Sequence, residues 1–129
     1  MLAVACAQAP APAAPAPTGE LSQNTEGFTD ISAEQLATLL ENKDFTLVNV
    51  HIPYEGDIPG TDLSIPFNDI AERVAELPQQ DARIVLYCRS GSMSTTAART
   101  LVSLGYSNVM ELDGGMRAWD ADGYEIEGH

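Results

Sequence analysis

The sequence predicts an α/β domain, a three-layer sandwich in which a parallel sheet of about five strands lies between helices on both faces. Three observations lead there. Ile84-Val85-Leu86-Tyr87 is an unbroken apolar and aromatic run, rich in β-branched residues at its start, which suits a strand covered on both faces. Comparable apolar segments, Phe28 to Ile31, Phe45 to Val50 and Asn108 to Leu112, alternate with stretches of helical periodicity. The central run also ends in a tight polar loop, Cys88 to Ser94, that opens onto a helix reaching Leu104, the strand-turn-helix order of a parallel sheet.

In chain order, Phe28 to Ile31 reads as the first strand. Ser32 and Gln35 are spaced as a capping box, with Ile31 and Leu36 as the hydrophobic staple. The helix they start runs to about Asn42, with Leu36, Leu39 and Leu40 on its inner face. Phe45 to Val50 is a buried strand whose end places Asn49 and His51 near the rim of the sheet. Pro53 to Gly60 is a turn-rich loop in which Glu55 and Asp57 read as solvated carboxylates. Leu63 to Ile65 is a short edge strand stopped by Pro66. A helix capped by Asn68 should follow, with Ile70, Val74 and Leu77 at helical spacing and Pro78 ending it. After the loop, Ala97, Ala98, Leu101, Val102 and Leu104 face the sheet, and Gly105 stands where a left-handed C-terminal cap belongs. Gly114-Gly115 turns the last core strand into a short helix, on which Trp119 reads as a core anchor.

Cys88 carries the chemistry. Open α/β sheets bind ligands outside the carboxyl ends of their strands, and the following helix points free N–H groups back at the loop. A helix N-terminus and a neighbouring cation, here Arg89, both favour a thiolate, the nucleophilic form of cysteine. Gly91 allows a positive φ, so that several amides can converge on one anion, with the hydroxyls of Ser90, Ser92 and Ser94 as further donors. His51, Met116 and Arg117 are candidates for the pocket rim because each follows a strand's carboxyl end; for His51 a structural role is the expected one. With a single cysteine and a single internal histidine in the domain, no metal site is expected.

These residues resemble the rhodanese (sulfurtransferase) family. The landmarks are Leu47-Val48-Asn49-Val50-His51, Ile58-Pro59-Gly60-Thr61, Ile65-Pro66, Tyr87-Cys88-Arg89-Ser90-Gly91, Gly105-Tyr106-Ser107-Asn108-Val109 and Leu112-Asp113-Gly114-Gly115-Met116-Arg117-Ala118-Trp119. The resemblance implies that Cys88 accepts a sulfane sulfur, becomes a persulfide and passes the sulfur to a thiophilic acceptor. It places Arg89, Ser90, Gly91, Ser92 and Met93 in the cradle, and Ser94 completes the candidate substrate-binding set. The implied partners are a small sulfur donor, thiosulfate or a persulfide, and a cyanide, thiol or protein acceptor, with no cofactor. The chain departs from the family where Asn49-Val50-His51 replaces an Asp-x-Arg pattern, where Asp57 replaces a histidine, and where Met93 replaces a hydroxyl-bearing or basic residue. Rival readings are a weakly catalytic binding module on the same scaffold, and a phosphatase or arsenate reductase. For a phosphatase the arginine of a Cys-x5-Arg loop would fall at Ser94.

The net charge of −13 and pI near 4.1 exclude a nucleic-acid binder, since no basic stripe exists to neutralise phosphates. An anionic donor would need a local positive focus, and Arg89 and Arg117 are the cations placed near the site. Residues 1–26 read as an Ala/Pro-rich, disordered tether and residues 27–129 as the domain, expected to be a monomer. Leu2-Ala3-Val4-Ala5-Cys6 resembles the end of a bacterial lipoprotein signal, so Cys6 is a candidate lipidation site on a trimmed signal. That reading implies an extracytoplasmic, membrane-tethered domain; a cytoplasmic one is the alternative.

Overall fold

A computed structural model describes residues 21–128, so the expectations for the first part of the tail, Cys6 included, lie outside the described residues. Among the described residues five strands form one parallel sheet: β1 (Thr29–Ile31), β2 (Thr46–Asn49), β3 (Leu63–Ser64), β4 (Ile84–Tyr87) and β5 (Val109–Leu112), in the order β1-β5-β4-β2-β3. The helices are α1 (Ala33–Leu40), α2 (Ser92–Ser103) and α3 (Gly115–Ala121). The expected sandwich is therefore present.

Alternation along the strands divides the interior into two cores. Val48, Ile84, Leu86, Cys88 and Val109 pack with Ala97, Ala98 and Leu101 of α2 on one face. Leu47, Val85, Tyr87, Met110 and Leu112 pack with Leu36 of α1 and Met116 and Trp119 of α3 on the other. β4 lies at the centre of the sheet, and all of its residues are buried. That position accounts for its unbroken apolar run and delivers Cys88 to the carboxyl end of the sheet's middle.

Local signals hold where short-range chemistry sets them. Ser32 Oγ accepts the Gln35 N–H at 3.0 Å, and Gln35 Oε1 accepts the Ser32 N–H at 2.7 Å, closing the capping box. At the end of α2, Gly105 adopts φ 100°, its N–H reaches the Val102 carbonyl and the Tyr106 N–H reaches that of Leu101, both at 3.0 Å. This is a Schellman cap.

Two expectations are corrected. No α-helix follows Asn68; the segment forms two 3-10 turns, Ile70–Glu72 and Val74–Glu76, without a side-chain cap. The apolar spacing reports only which side is buried. Bracketed by Pro66 and Pro78, the segment closes i to i+3 bonds, such as Glu72 N–H to Asp69 O at 3.0 Å and Leu77 N–H to Val74 O at 3.0 Å. The folded part also begins before residue 27. Asn24 accepts the Glu26 N–H at 2.8 Å and donates to Asp30 at 3.1 Å, while Glu26 pairs with Arg99 of α2. Composition places these residues in the tail, but their polar side chains cap the entrance to β1.

Replacing Ser32 with alanine removes the acceptor for the Gln35 N–H. Urea unfolding should show a loss of about 1 kcal/mol with an unchanged m-value.

Candidate functional site

Cys88 stands immediately after β4, where the chain leaves the sheet. Gly91 has φ 110°, and the turn it permits brings its N–H to 3.0 Å from Cys88 Sγ. α2 starts at the next residue. The N–H groups of Ser92, Met93 and Ser94, the first three of α2, have no acceptor among the described residues, as expected at a helix start. The sulfur is buried, with Cys88 only 1% exposed, whereas Arg89, Ser90 and Ser92 are exposed and Met93 packs against the α2 core.

A second element clamps the loop from behind. The Met116 N–H donates to the Cys88 carbonyl at 2.8 Å, and the Arg117 N–H to the Arg89 carbonyl at 2.9 Å. The start of α3 thus supplies orphan amides to the carbonyls beside the sulfur. The fit requires Gly115, since a Cβ there would stand 2.4 Å from the Cys88 carbonyl oxygen and 2.7 Å from that of Arg89.

Ser94 is fully buried and sits behind the sulfur, not at an exposed edge of the loop. Its Oγ is 3.5 Å from Cys88 Sγ, 3.2 Å from the Gly91 carbonyl and 2.6 Å from Glu111 Oε2. Glu111, on β5, is 2% exposed. Burial, reinforced by the neighbouring Asp30 carboxyl, pushes its carboxyl up to about 8, against the pull of the Ser94 hydrogen bond.

The cation expected to serve the anionic donor is already paired. The exposed Arg89 guanidinium bonds Glu55 Oε1, and this hydrogen bond holds the Glu55 carboxyl below its ordinary range. His51 Nε2 lies 3.4 Å from the same oxygen, but neither buried ring nitrogen forms a hydrogen bond among the described residues. Arg117 makes no ion pair among the described residues. It lines, with Tyr54, Glu55, Arg89, Met116 and Asp120, an open groove of about 1000 Å³ beside the loop. Of the three rim candidates, Met116 and Arg117 line this groove and His51 does not.

The departures at Asn49 and Asp57 meet each other. Asn49 Nδ2 donates to Asp57 Oδ1 at 3.0 Å and to the Gly56 carbonyl at 2.9 Å, while its Oδ1 accepts the His51 N–H at 2.9 Å. Tyr87 joins them, donating to Asp57 at 3.2 Å and accepting the Ile58 N–H at 3.0 Å; burial pushes its phenol up. Asp57 is therefore a structural acceptor that fixes the loop carrying Glu55, not a solvated carboxylate.

Comparison with known proteins agrees with the fold. A family model described as a Rhodanese-like domain matches residues 32–122. The chain belongs to the rhodanese-like family. A sulfurtransferase of Allochromatium vinosum is 38% identical over 101 residues, covering 75% of this chain and 92% of that relative. The thiosulfate sulfurtransferase GlpE of Pseudoalteromonas translucida is 34% identical over 97 residues, covering 73% and 90%. The solution structure of the rhodanese-like domain of the Alr3790 protein from Anabaena sp. gives a TM-score of 0.70 at 28% identity, over 78% of this chain and 79% of that one. At the level of the family, these relatives support a sulfurtransferase.

Sequence reasoning missed Glu55 as the partner of Arg89, because contact across 34 positions leaves no local pattern. It also missed Glu111, although an acidic residue inside a core strand was a usable signal.

The raised Glu111 carboxyl links stability to pH. Between its ordinary value of 4.5 and about 8 the folded chain holds a proton that the unfolded chain releases, so stability should fall as pH rises through that window and level off above it. Glu111→Gln removes this dependence. Thermal melts at several pH values should show the variant gaining on the wild type across the window; a constant difference would refute the linkage.

Proposed function

We propose that the chain moves sulfane sulfur from thiosulfate, or from a persulfide donor, to a thiophilic acceptor through a persulfide on Cys88. The supporting observation is the geometry around the sulfur: Sγ at a helix start, 3.0 Å from the Gly91 N–H, with the unpaired amides of the first turn of α2 next in the chain. In the first half-reaction the Cys88 thiolate attacks the outer sulfur of thiosulfate. A new S–S bond forms, the bond to the sulfonate sulfur breaks, and sulfite leaves with the electron pair. The orphan amides of α2 favour the negative charge of the terminal sulfur. In the second half-reaction cyanide or a thiolate attacks that sulfur, giving thiocyanate or a new persulfide and returning the Cys88 thiolate.

Met93 offers no charged donor, so the cradle binds through backbone amides. Arg117 lines the groove and is the cation free of an ion pair among the described residues, which suits it to draw the anionic donor in. The burial of Cys88 and the pairing of Arg89 with Glu55 favour, as a second reading, a docking module that turns over slowly. A phosphatase reading lacks the guanidinium its loop requires, since Ser94 occupies that position and bonds Glu111. The lipidation of Cys6 and an extracytoplasmic location are proposals from the sequence alone; a full-length native chain that is unlabelled after growth with a tagged fatty acid and fractionates with the cytosol would end them.

Cyanide-dependent thiocyanate formation from thiosulfate should fall by on the order of a thousandfold or more in Cys88→Ser. Intact-mass analysis after thiosulfate should show one added sulfur atom on the wild type and none on the variant. Activity surviving in the variant would refute Cys88 as the carrier, and no mass gain on the wild type would favour the docking module.

A further inference from the structure

Cys88 is 1% exposed, so its thiol meets protein groups more than water, and a hydrogen-bonded neighbour can take its proton. Ser94 is placed to take it. Cys88 Sγ donates to Ser94 Oγ at 3.5 Å, and Ser94 Oγ donates to Glu111 Oε2 at 2.6 Å. Both relay residues are sealed, Ser94 at 0% and Glu111 at 2% exposure. Beyond them, Asp30 of β1 is exposed and stands in register with Glu111, and its carboxyl raises the proton affinity of Glu111.

We propose that Glu111 accepts the proton of Cys88 through the hydroxyl of Ser94. The S–H bond breaks as an O–H bond forms on Ser94, and the original hydroxyl proton of Ser94 passes to Glu111 Oε2. The products are a thiolate, an unchanged serine and a neutral carboxyl, with no electron transferred. The step starts from the ionised form of Glu111, which gains population as pH approaches about 8, and one negative charge moves from that carboxylate to the sulfur, where the Gly91 N–H stands 3.0 Å away. Once Glu111 holds the proton, the Ser94 hydroxyl is released to donate to the sulfur as well.

The surroundings of Glu111 favour this direction. The groups facing it are the carboxyls of Asp30 on β1 and Asp113 after β5, the hydroxyl of Ser94 on α2, and beyond it the thiol of Cys88 after β4; no cation is among them. A buried carboxylate without a cation is costly, and burial with acidic neighbours pushes Glu111 up to about 8. The inference rests on Cys88 as the sulfur carrier. Glu111 touches no substrate and acts through Ser94, which makes it a positioning residue for the nucleophile's proton.

The test reads the thiol without any sulfur donor. Alkylation of Cys88 by iodoacetamide is followed across pH on the full chain, using the tryptic peptide Ile84–Arg89 to separate Cys88 from Cys6. The wild-type rate should rise in two steps with a shoulder between them, because thiol and carboxyl share protons. Glu111→Gln should give a single step and a rate about twofold or more higher at the pH of the shoulder. Superimposable profiles would overturn the proposal. A second measurement needs no variant: the Glu111 carboxyl, titrated by carbon-13 NMR, should lose one of two steps once Cys88 is blocked by methylthiolation, by reciprocity of the coupling. An unchanged titration would also overturn it. Thiosulfate–cyanide turnover, assayed separately, distinguishes the two conclusions: coupled titration without turnover sinks sulfur transfer and leaves the relay, and turnover with uncoupled titration does the reverse.

Discussion

The site depends on one close approach of backbone to backbone. Gly115 lets the start of α3 lie against the turn after β4, so that the Met116 and Arg117 amides reach the Cys88 and Arg89 carbonyls at 2.8 and 2.9 Å. The amides are ones a helix start leaves unpaired, and the carbonyls belong to a loop that has left its sheet ladder. Each set satisfies the other. With the carbonyls turned toward α3, the opposite edge of the turn carries the Gly91 N–H, which the φ of 110° at that residue brings to the sulfur.

Burial of Cys88 has electrostatic consequences. The chain carries a net charge of −13, yet the acidic groups near the sulfur are in specific relationships and not spread uniformly. Glu55 neutralises Arg89 at the exposed side, and Glu111 sits behind Ser94 on the interior side. The first arrangement removes an expected anion receptor, leaving amides and the Arg117 face of the groove. The second puts a carboxyl with a high proton affinity within two hydrogen bonds of the sulfur.

Departures from the family pattern are absorbed by new hydrogen bonds rather than left as gaps. Asn49 and Asp57 pair with each other, and Tyr87 spans from the central strand to the same loop. Every member of this group is held by partners across the loop, as buried polar groups require. The result is a rigid support for Glu55, which in turn holds the exposed arginine. Fold and site are thus joined through polar contacts on one face of β4 and through the cysteine backbone at its end.

The sequence by itself determined the layer order, the central strand, the capping box at Ser32, the left-handed cap at Gly105 and the placement of Cys88 at a strand-to-helix turn. These features are set by period, by local hydrogen bonding and by the special backbone freedom of glycine, all of which are written in adjacent residues. Tertiary structure alone decided that Arg89 is paired with Glu55, that Ser94 faces inward to Glu111 and that Asp57 supports its loop through Asn49 and Tyr87. Those outcomes depend on which side chains meet once the chain has folded, and pairings such as Ser94 with Glu111 and Arg89 with Glu55, 17 and 34 positions apart, leave no periodic trace in the chain.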